Sequence, residues 1–133
     1  MHLIIDGYGS DQKILQDEKF LYQLLESYPS QIGMTKISQP FVTKYAGAHR
    51  EDWGISGFVV IAESHISVHT FVERSYVNID VFSCRDFDVG KVVEDLKNWF
   101  RLTKFRSCLV ERDWLTGCSV GSDRVIELCS YEK

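Results

Sequence analysis

Ala62-Glu63-Ser64-His65-Ile66-Ser67-Val68-His69-Thr70 stands at the centre of the chain, and the way it folds back on its neighbours decides the architecture. Ile55 to Ala62 before it and Ile66 to Val72 within and after it are runs rich in β-branched and aromatic residues, separated only by Glu63-Ser64-His65. A third run sets Tyr76, Asn78, Asp80 and Phe82 in alternation with Val77, Ile79 and Val81. Period-two alternation gives a strand one apolar and one polar face, and three such runs joined by short turns predict an antiparallel meander. With Glu63 to His65 as the turn, positions summing to about 128 face each other. His69 then pairs near Val59 and Val72 near Ser56, which gathers Ser56, Ser64 and His69 in one small region.

Working outward, His2 to Tyr8 reads as a strand running into the Gly-Tyr-Gly turn. From Asp17 the apolar residues Phe20, Leu21, Leu24, Leu25 and Tyr28 form the stripe of an amphipathic helix, capped by Asp17 and ended by Pro29 with Gly33. Ile37 to Tyr45 has strand composition, with Pro40 marking an edge or bulge, and Gly47 to Gly54 is polar enough for a loop. Asp88 caps a second helix bearing Val89, Val92, Val93, Leu96 and Phe100 on one face. Phe105 to Trp114 and Arg124 to Cys129 are expected as closing strands, linked by a loop from Thr116-Gly117 to Gly121-Ser122. The order β-α-β-β-β-β-α-β-β repeats a strand-helix-strand-strand unit. The expected fold is α+β: a two-layer sandwich, a largely antiparallel sheet with both helices on one face, whose bare face invites a homodimer of α/β/β/α arrangement.

A chain of 133 residues is expected to be a single domain, and 44% apolar with 26% charged residues excludes a disordered tail or a coiled coil. Fifteen basic against nineteen acidic residues, scattered rather than striped, disfavour nucleic acid as a partner. No apolar run reaches the ~20 residues of a membrane span, and no basic n-region precedes an apolar stretch, so a cytoplasmic protein away from membranes is expected. Four cysteines, Cys84, Cys108, Cys118 and Cys129, lack a C-x-x-C spacing and are read as reduced thiols. No ligand cluster for a metal is recognised.

Reactive side chains crowd the central strands: Ser56, Glu63, Ser64, His65, Ser67, His69, Glu73, Asp80 and Cys84. A serine at a tight turn with a histidine nearby to move protons is what nucleophilic chemistry requires. A hydrolase would add an oxyanion hole and a motif such as G-x-S-x-G, which is missing. Singly, each residue has a structural reading: Ser64 a turn residue, His69 a strand histidine, Cys84 a small buried hydrophobe, Asp80 a hydrogen-bond partner. His65 and Ser67 are taken as supporting residues.

The stretch Ala62 to Thr70, followed by Glu73, Tyr76 and Ile79-Asp80-Val81-Phe82-Ser83-Cys84, resembles the self-cleavage region of the small prokaryotic S-adenosylmethionine decarboxylase proenzymes. Gly54-Ile55-Ser56-Gly57 and His2 to Asp11 resemble two further segments of that family. The resemblance implies a proenzyme that cleaves itself between Glu63 and Ser64 into a β chain, 1–63, and an α chain, 64–133. It implies that Ser64 becomes a pyruvoyl cofactor, which forms a Schiff base with the substrate and accepts the electrons released with CO2. By carry-over, Ser56 and His69 (the proton acceptor) serve processing, Cys84 is the proton donor of decarboxylation, and Glu73 contacts the substrate ribose, with Trp53 as a candidate ring to stack on adenine. No metal is implied. The product would feed spermidine synthesis, and the active site would lie near a homodimer interface.

The chain departs from the family pattern where it has Phe71-Val72 for Trp-Pro, Arg74-Ser75-Tyr76-Val77-Asn78 for Tyr-Gly-Tyr-Ala-Ala, and His49 to Trp53 where a Phe normally precedes the glycine. Two alternatives follow. One is a pyruvoyl-dependent arginine or ornithine decarboxylase, with Glu51 and Asp52 available to a guanidinium or ammonium group. The other is an uncleaved, non-catalytic relative acting as a binding or regulatory subunit.

Overall fold

In a computed structural model describing residues 1–111 and the backbone of Val125 and Ile126, the chain runs through β1 (His2–Tyr8), α1 (Gln12–Leu15), α2 (Glu18–Gln31), β2 (Phe41–Ala46), β3 (Trp53–Ile61), β4 (Ser64–Phe71), β5 (Tyr76–Ser83), α3 (Val89–Trp99), β6 (Lys104–Val110) and β7 (Val125–Ile126). The strands make one antiparallel sheet in the order β2-β3-β4-β5-β1-β6-β7. The first strand therefore lies between β5 and β6. The expected α+β class and element order hold, with the four-residue α1 as an addition. Trp114, the Thr116 to Ser122 loop, the rest of the expected strand to Cys129, and Cys118 lie outside the described residues.

Alternation along the strands separates two faces. Leu3, Ile5, Val59, Ile61, Ile66, Val68, Ile79, Val81 and Leu109 are buried towards the helices. Leu21, Leu24, Leu25 and Tyr28 of α2 close over them, joined by Val92, Leu96 and Phe100 from the α3 end. The two helices share this side, where Tyr28 meets the Trp99 ring edge-on at 4.7 Å and its hydroxyl donates to Asp95 at 3.1 Å. Gly57 lets α2 approach: a Cβ there would stand 2.7 Å from Leu25 Cδ1. A side chain there would have to displace Leu25 and Leu21 of α2.

The capping signals behave as expected, with Asp17 Oδ1 accepting from the Phe20 N–H at 3.0 Å and Asp88 Oδ1 from the Lys91 N–H at 2.9 Å. Two boundaries differ. Pro29 sits inside the last turn of α2 without ending it, because so near a C-terminus it removes one ladder bond and no more. The Ile37–Tyr45 strand begins only at Phe41: Ile37 is 63% exposed, and Pro40, unable to donate, marks the start. Short α1 carries no periodic signal of its own. It is tied down through Thr70, whose hydroxyl donates to Leu15 O at 2.7 Å and accepts from the Ile55 N–H at 2.8 Å.

Among the described residues no helix covers the other face of the sheet. A row of rings crosses it from Phe58 through His65 and Phe82 to His2, with neighbouring centroids 5.3, 5.4 and 4.9 Å apart. His2 also meets Asp80 at 2.7 Å, so Asp80 is a structural partner here. A parallel polar row runs through Ser56, His69, Asn78 and Asp6, which are cross-strand partners in register.

Candidate active site

The hairpin at the centre turns on two residues, Ala62 and Glu63, with Ile61 opposite Ser64. The sequence reading placed Glu63, Ser64 and His65 in the turn. Instead Ser64, with φ of 158°, is extended enough to join the ladder as the first residue of β4. The passing segment Thr35 to Ile37 tightens the end: the Ala62 N–H donates to Thr35 O at 2.7 Å, and the Ile37 N–H to Val60 O at 3.1 Å. With the turn one position earlier and one residue shorter, His69 faces Ser56, not Val59.

Two groups of reactive side chains result, where the sequence reading expected one. The first surrounds the Glu63–Ser64 peptide. Ser83 is Ser64's cross-strand partner, and the next residue, Cys84, donates its N–H to Glu63 O at 2.9 Å. This amide withdraws electron density from the one carbonyl next to the Ser64 nitrogen, as an oxyanion donor does. The Cys84 side chain is a free, exposed thiol at the same spot, contrary to its buried reading. The Glu63 carboxylate folds back into the protein, 6% exposed, accepting from the Thr35 N–H at 3.0 Å with Arg85 Nη1 at 3.4 Å. The Thr35 N–H, and after it Arg85, hold that carboxyl below its ordinary range against the opposing effect of burial.

The second group stands at the far end of β4. The Ser56 hydroxyl and His69 Nδ1 lie 2.9 Å apart on the helix-free face, bordering a cleft of ≈ 440 Å³ lined by Tyr45, Asp52, Trp53, Gly54, Ser56, His69, Thr70 and Phe71. Trp53 Nε1–H donates to Glu73 Oε1 at 3.1 Å, so the two candidate substrate-binding residues are joined to each other. Asp52 accepts from Arg74 Nη2 at 2.7 Å. One oxygen of this carboxylate, one of the two groups offered to a basic substrate, is thereby engaged within the chain. Five residues of extended strand separate Ser64 from His69, about 17 Å at ~3.4 Å per residue. Ser56 and His69 thus meet as expected, but Ser64 is not with them.

One cluster escaped the sequence reading. Asp6 accepts from Asn78 Nδ2 at 2.6 Å and from the Tyr76 hydroxyl at 3.0 Å, beside His69 in the polar row. Burial, and then the Asp6 hydrogen bond, pushes the Tyr76 hydroxyl up to about 12. The alternation of Tyr76, Asn78 and Asp80 already put these residues on one face; their partner on β1 was the missing half.

Comparison with known proteins gives a consistent set of likenesses. A family described as S-adenosylmethionine decarboxylase matches residues 1–113. An S-adenosylmethionine decarboxylase proenzyme of Clostridium botulinum (strain Loch Maree / Type A3) is 34% identical over 98 residues, 72% of this chain and 78% of its own. One from Archaeoglobus fulgidus is 30% identical over 112 residues, covering 84% and 95%. The crystal structure of the adenosylmethionine decarboxylase from Aquifex aeolicus superposes with a TM-score of 0.66 at 25% identity, over 84% of this chain and 92% of that one.

Proposed function

The chain belongs to the S-adenosylmethionine decarboxylase family, and from that membership we propose that it is a proenzyme that cuts itself between Glu63 and Ser64 and then decarboxylates S-adenosylmethionine. The observation that carries the reading is the Glu63–Ser64 peptide itself. It sits at a two-residue turn that ends on Ser64, its carbonyl bonded to the amide of Cys84, a residue whose thiol is free and exposed. Attack by Ser64 Oγ on that carbonyl replaces the amide by an ester, elimination across the serine Cα–Cβ bond releases Glu63 as a carboxylate, and hydrolysis of the dehydroalanine end then replaces its nitrogen, lost as ammonia, by oxygen from water. The residues fit a pyruvoyl group at position 64, which when formed supplies a ketone to bind the substrate amine and take up the electrons left by CO2. Cys84, adjacent to it, delivers a proton to carbon.

Elimination requires a base at the Ser64 Cα proton, and His69 lies too far along its own strand to serve. The arrangement that reconciles the two groups is a homodimer through the helix-free face, in which Ser56 and His69 of one protomer meet Glu63, Ser64 and Cys84 of the other. Tyr45, Trp53, Phe71 and Glu73 then supply the adenosyl side of a shared site, with the Glu73 carboxylate held by Trp53 to accept the ribose hydroxyls. The product, decarboxylated S-adenosylmethionine, serves aminopropyl transfer in polyamine synthesis. No helix among the described residues is long and apolar enough to cross a membrane, in keeping with a cytoplasmic setting.

The test has two parts. Intact mass of the purified protein is expected to give fragments of residues 1–63 and 64–133, the second bearing the ketone, and Ser64→Ala to give one uncut species of 15.4 kDa. Release of labelled CO2 from S-adenosylmethionine, with none from arginine or ornithine, is expected of the processed protein. Turnover of a basic amino acid alone would overturn the substrate assignment.

A further inference from the structure

Ser64 makes a contact that the roles of His69 and Cys84 leave unused. Its hydroxyl lies within hydrogen-bond reach of Nδ1 of His65, 3.2 Å away. That imidazole is clamped by the ring row, with Phe58 on one side and Phe82 on the other, the latter within 6° of parallel at 5.4 Å. Phe82 stacked on one side and Phe58 tilted at 32° on the other restrain the ring plane and hence the direction of Nδ1. In the tautomer with its hydrogen on Nε2, Nδ1 accepts from that hydroxyl and can take up its proton.

We propose that His65 is a catalytic residue of the first step of self-cleavage, accepting the Ser64 hydroxyl proton within the same chain. The proposal rests on the reading of Ser64 as the cut residue. As Oγ bonds to the Glu63 carbonyl carbon, the O–H bond breaks and its proton passes to His65 Nδ1. The carbonyl oxygen gains the electron pair against the Cys84 N–H, 2.9 Å away. The C–N bond then breaks and His65 returns the proton to the Ser64 nitrogen, leaving an ester and an amine with protons and electrons balanced. His69 takes the Cα proton only afterwards, in the elimination. Two proton transfers at one serine are thus divided between two histidines, one adjacent in sequence and one reaching it from the partner.

His65→Phe separates the two roles of the side chain, because it keeps a ring in the stack and removes both nitrogens. Hydroxylamine cuts esters and spares amides, so it reports which step has stalled. Wild type is expected to appear as two fragments, and His69→Ala as a full-length chain that hydroxylamine splits at residue 63. His65→Phe is expected as a full-length chain resistant to hydroxylamine, cut on the order of 10²-fold more slowly than wild type and partly rescued by added imidazole. His65→Gln, able to accept a hydrogen bond but not to hold a proton, is expected to behave likewise and guards against a failure of the Phe variant to fold. Cutting of either folded variant at the wild-type rate, or accumulation of the ester, would overturn the role of His65. A wild-type chain that stays whole under all conditions would instead overturn the self-cleavage reading, and this proposal with it.

Discussion

Co-expression of two inactive chains, Ser64→Ala and His69→Ala, carrying different tags, measures which protomer serves which cut. General-base transfer requires heavy atoms within ~3 Å, whereas Ser64 and His69 of one chain are five strand residues apart, about 17 Å. The strand is paired on both sides, with β3 and β5, so no local bend closes that gap. Neither variant alone is expected to yield fragments. In a mixed dimer the intact Ser64 of the His69→Ala chain faces the intact His69 of its partner, and that one site is whole. Equal amounts assorting at random give mixed dimers about half the time, so about a quarter of all chains should be cut, every one of them the His69→Ala chain. Intact mass on the tagged chains reads this directly. A mixture with no cut chain would refute the shared site; so would His69→Ala cutting by itself, which would take His69 out of processing altogether.

Other perturbations test other links. Thr70→Val keeps the shape but strands the Leu15 carbonyl and the Ile55 N–H; urea unfolding should show a loss of about 2–3 kcal/mol. Cys84→Ala leaves the Cys84 amide on the Glu63 carbonyl, so fragments should still form while CO2 release falls by ~10²–10⁴-fold. Because the Thr35 N–H and Arg85 hold the Glu63 carboxyl below its ordinary range in the folded state, its contribution to stability is present above the unfolded value and is lost as pH falls through the folded one. Thermal melting in the uncut Ser64→Ala background should therefore lose less stability below about pH 4 when Glu63→Gln is added, and an unchanged acid limb would contradict the assignment.

What the sequence made legible was whatever a short window decides. Asp17 and Asp88 announced their helices, and alternation in Tyr76 to Phe82 sorted core from open face before any partner was known. Two kinds of feature were hidden. The hairpin register depends on a turn of two residues that the chain itself does not mark: neither Ala62 nor Glu63 is a turn former, and the bend is held by Thr35 and Ile37 from a segment some 25 residues away. That register sets Ser56 opposite His69, while five steps along β4 keep Ser64 away from both. The second kind needs a partner strand from elsewhere, as when Asp6 on β1 completes the Tyr76 and Asn78 pair, or when Arg74 claims Asp52 and so alters what that carboxylate can bind.

Should the chain cut itself as proposed, the placement of β1 between β5 and β6 has a consequence for its history. A break after Glu63 would leave β1, β2 and β3 on one polypeptide and β4, β5 and β6 on the other, yet in the sheet the first piece supplies a strand buried between two strands of the second. The pieces are interleaved, and neither can leave without withdrawing a strand that is paired on both edges. Before the cut, assembly is an intramolecular search; after it, refolding becomes a second-order encounter that slows on dilution. Such a molecule can be folded easily only once, and its unfolding, however rare, is in practice its end.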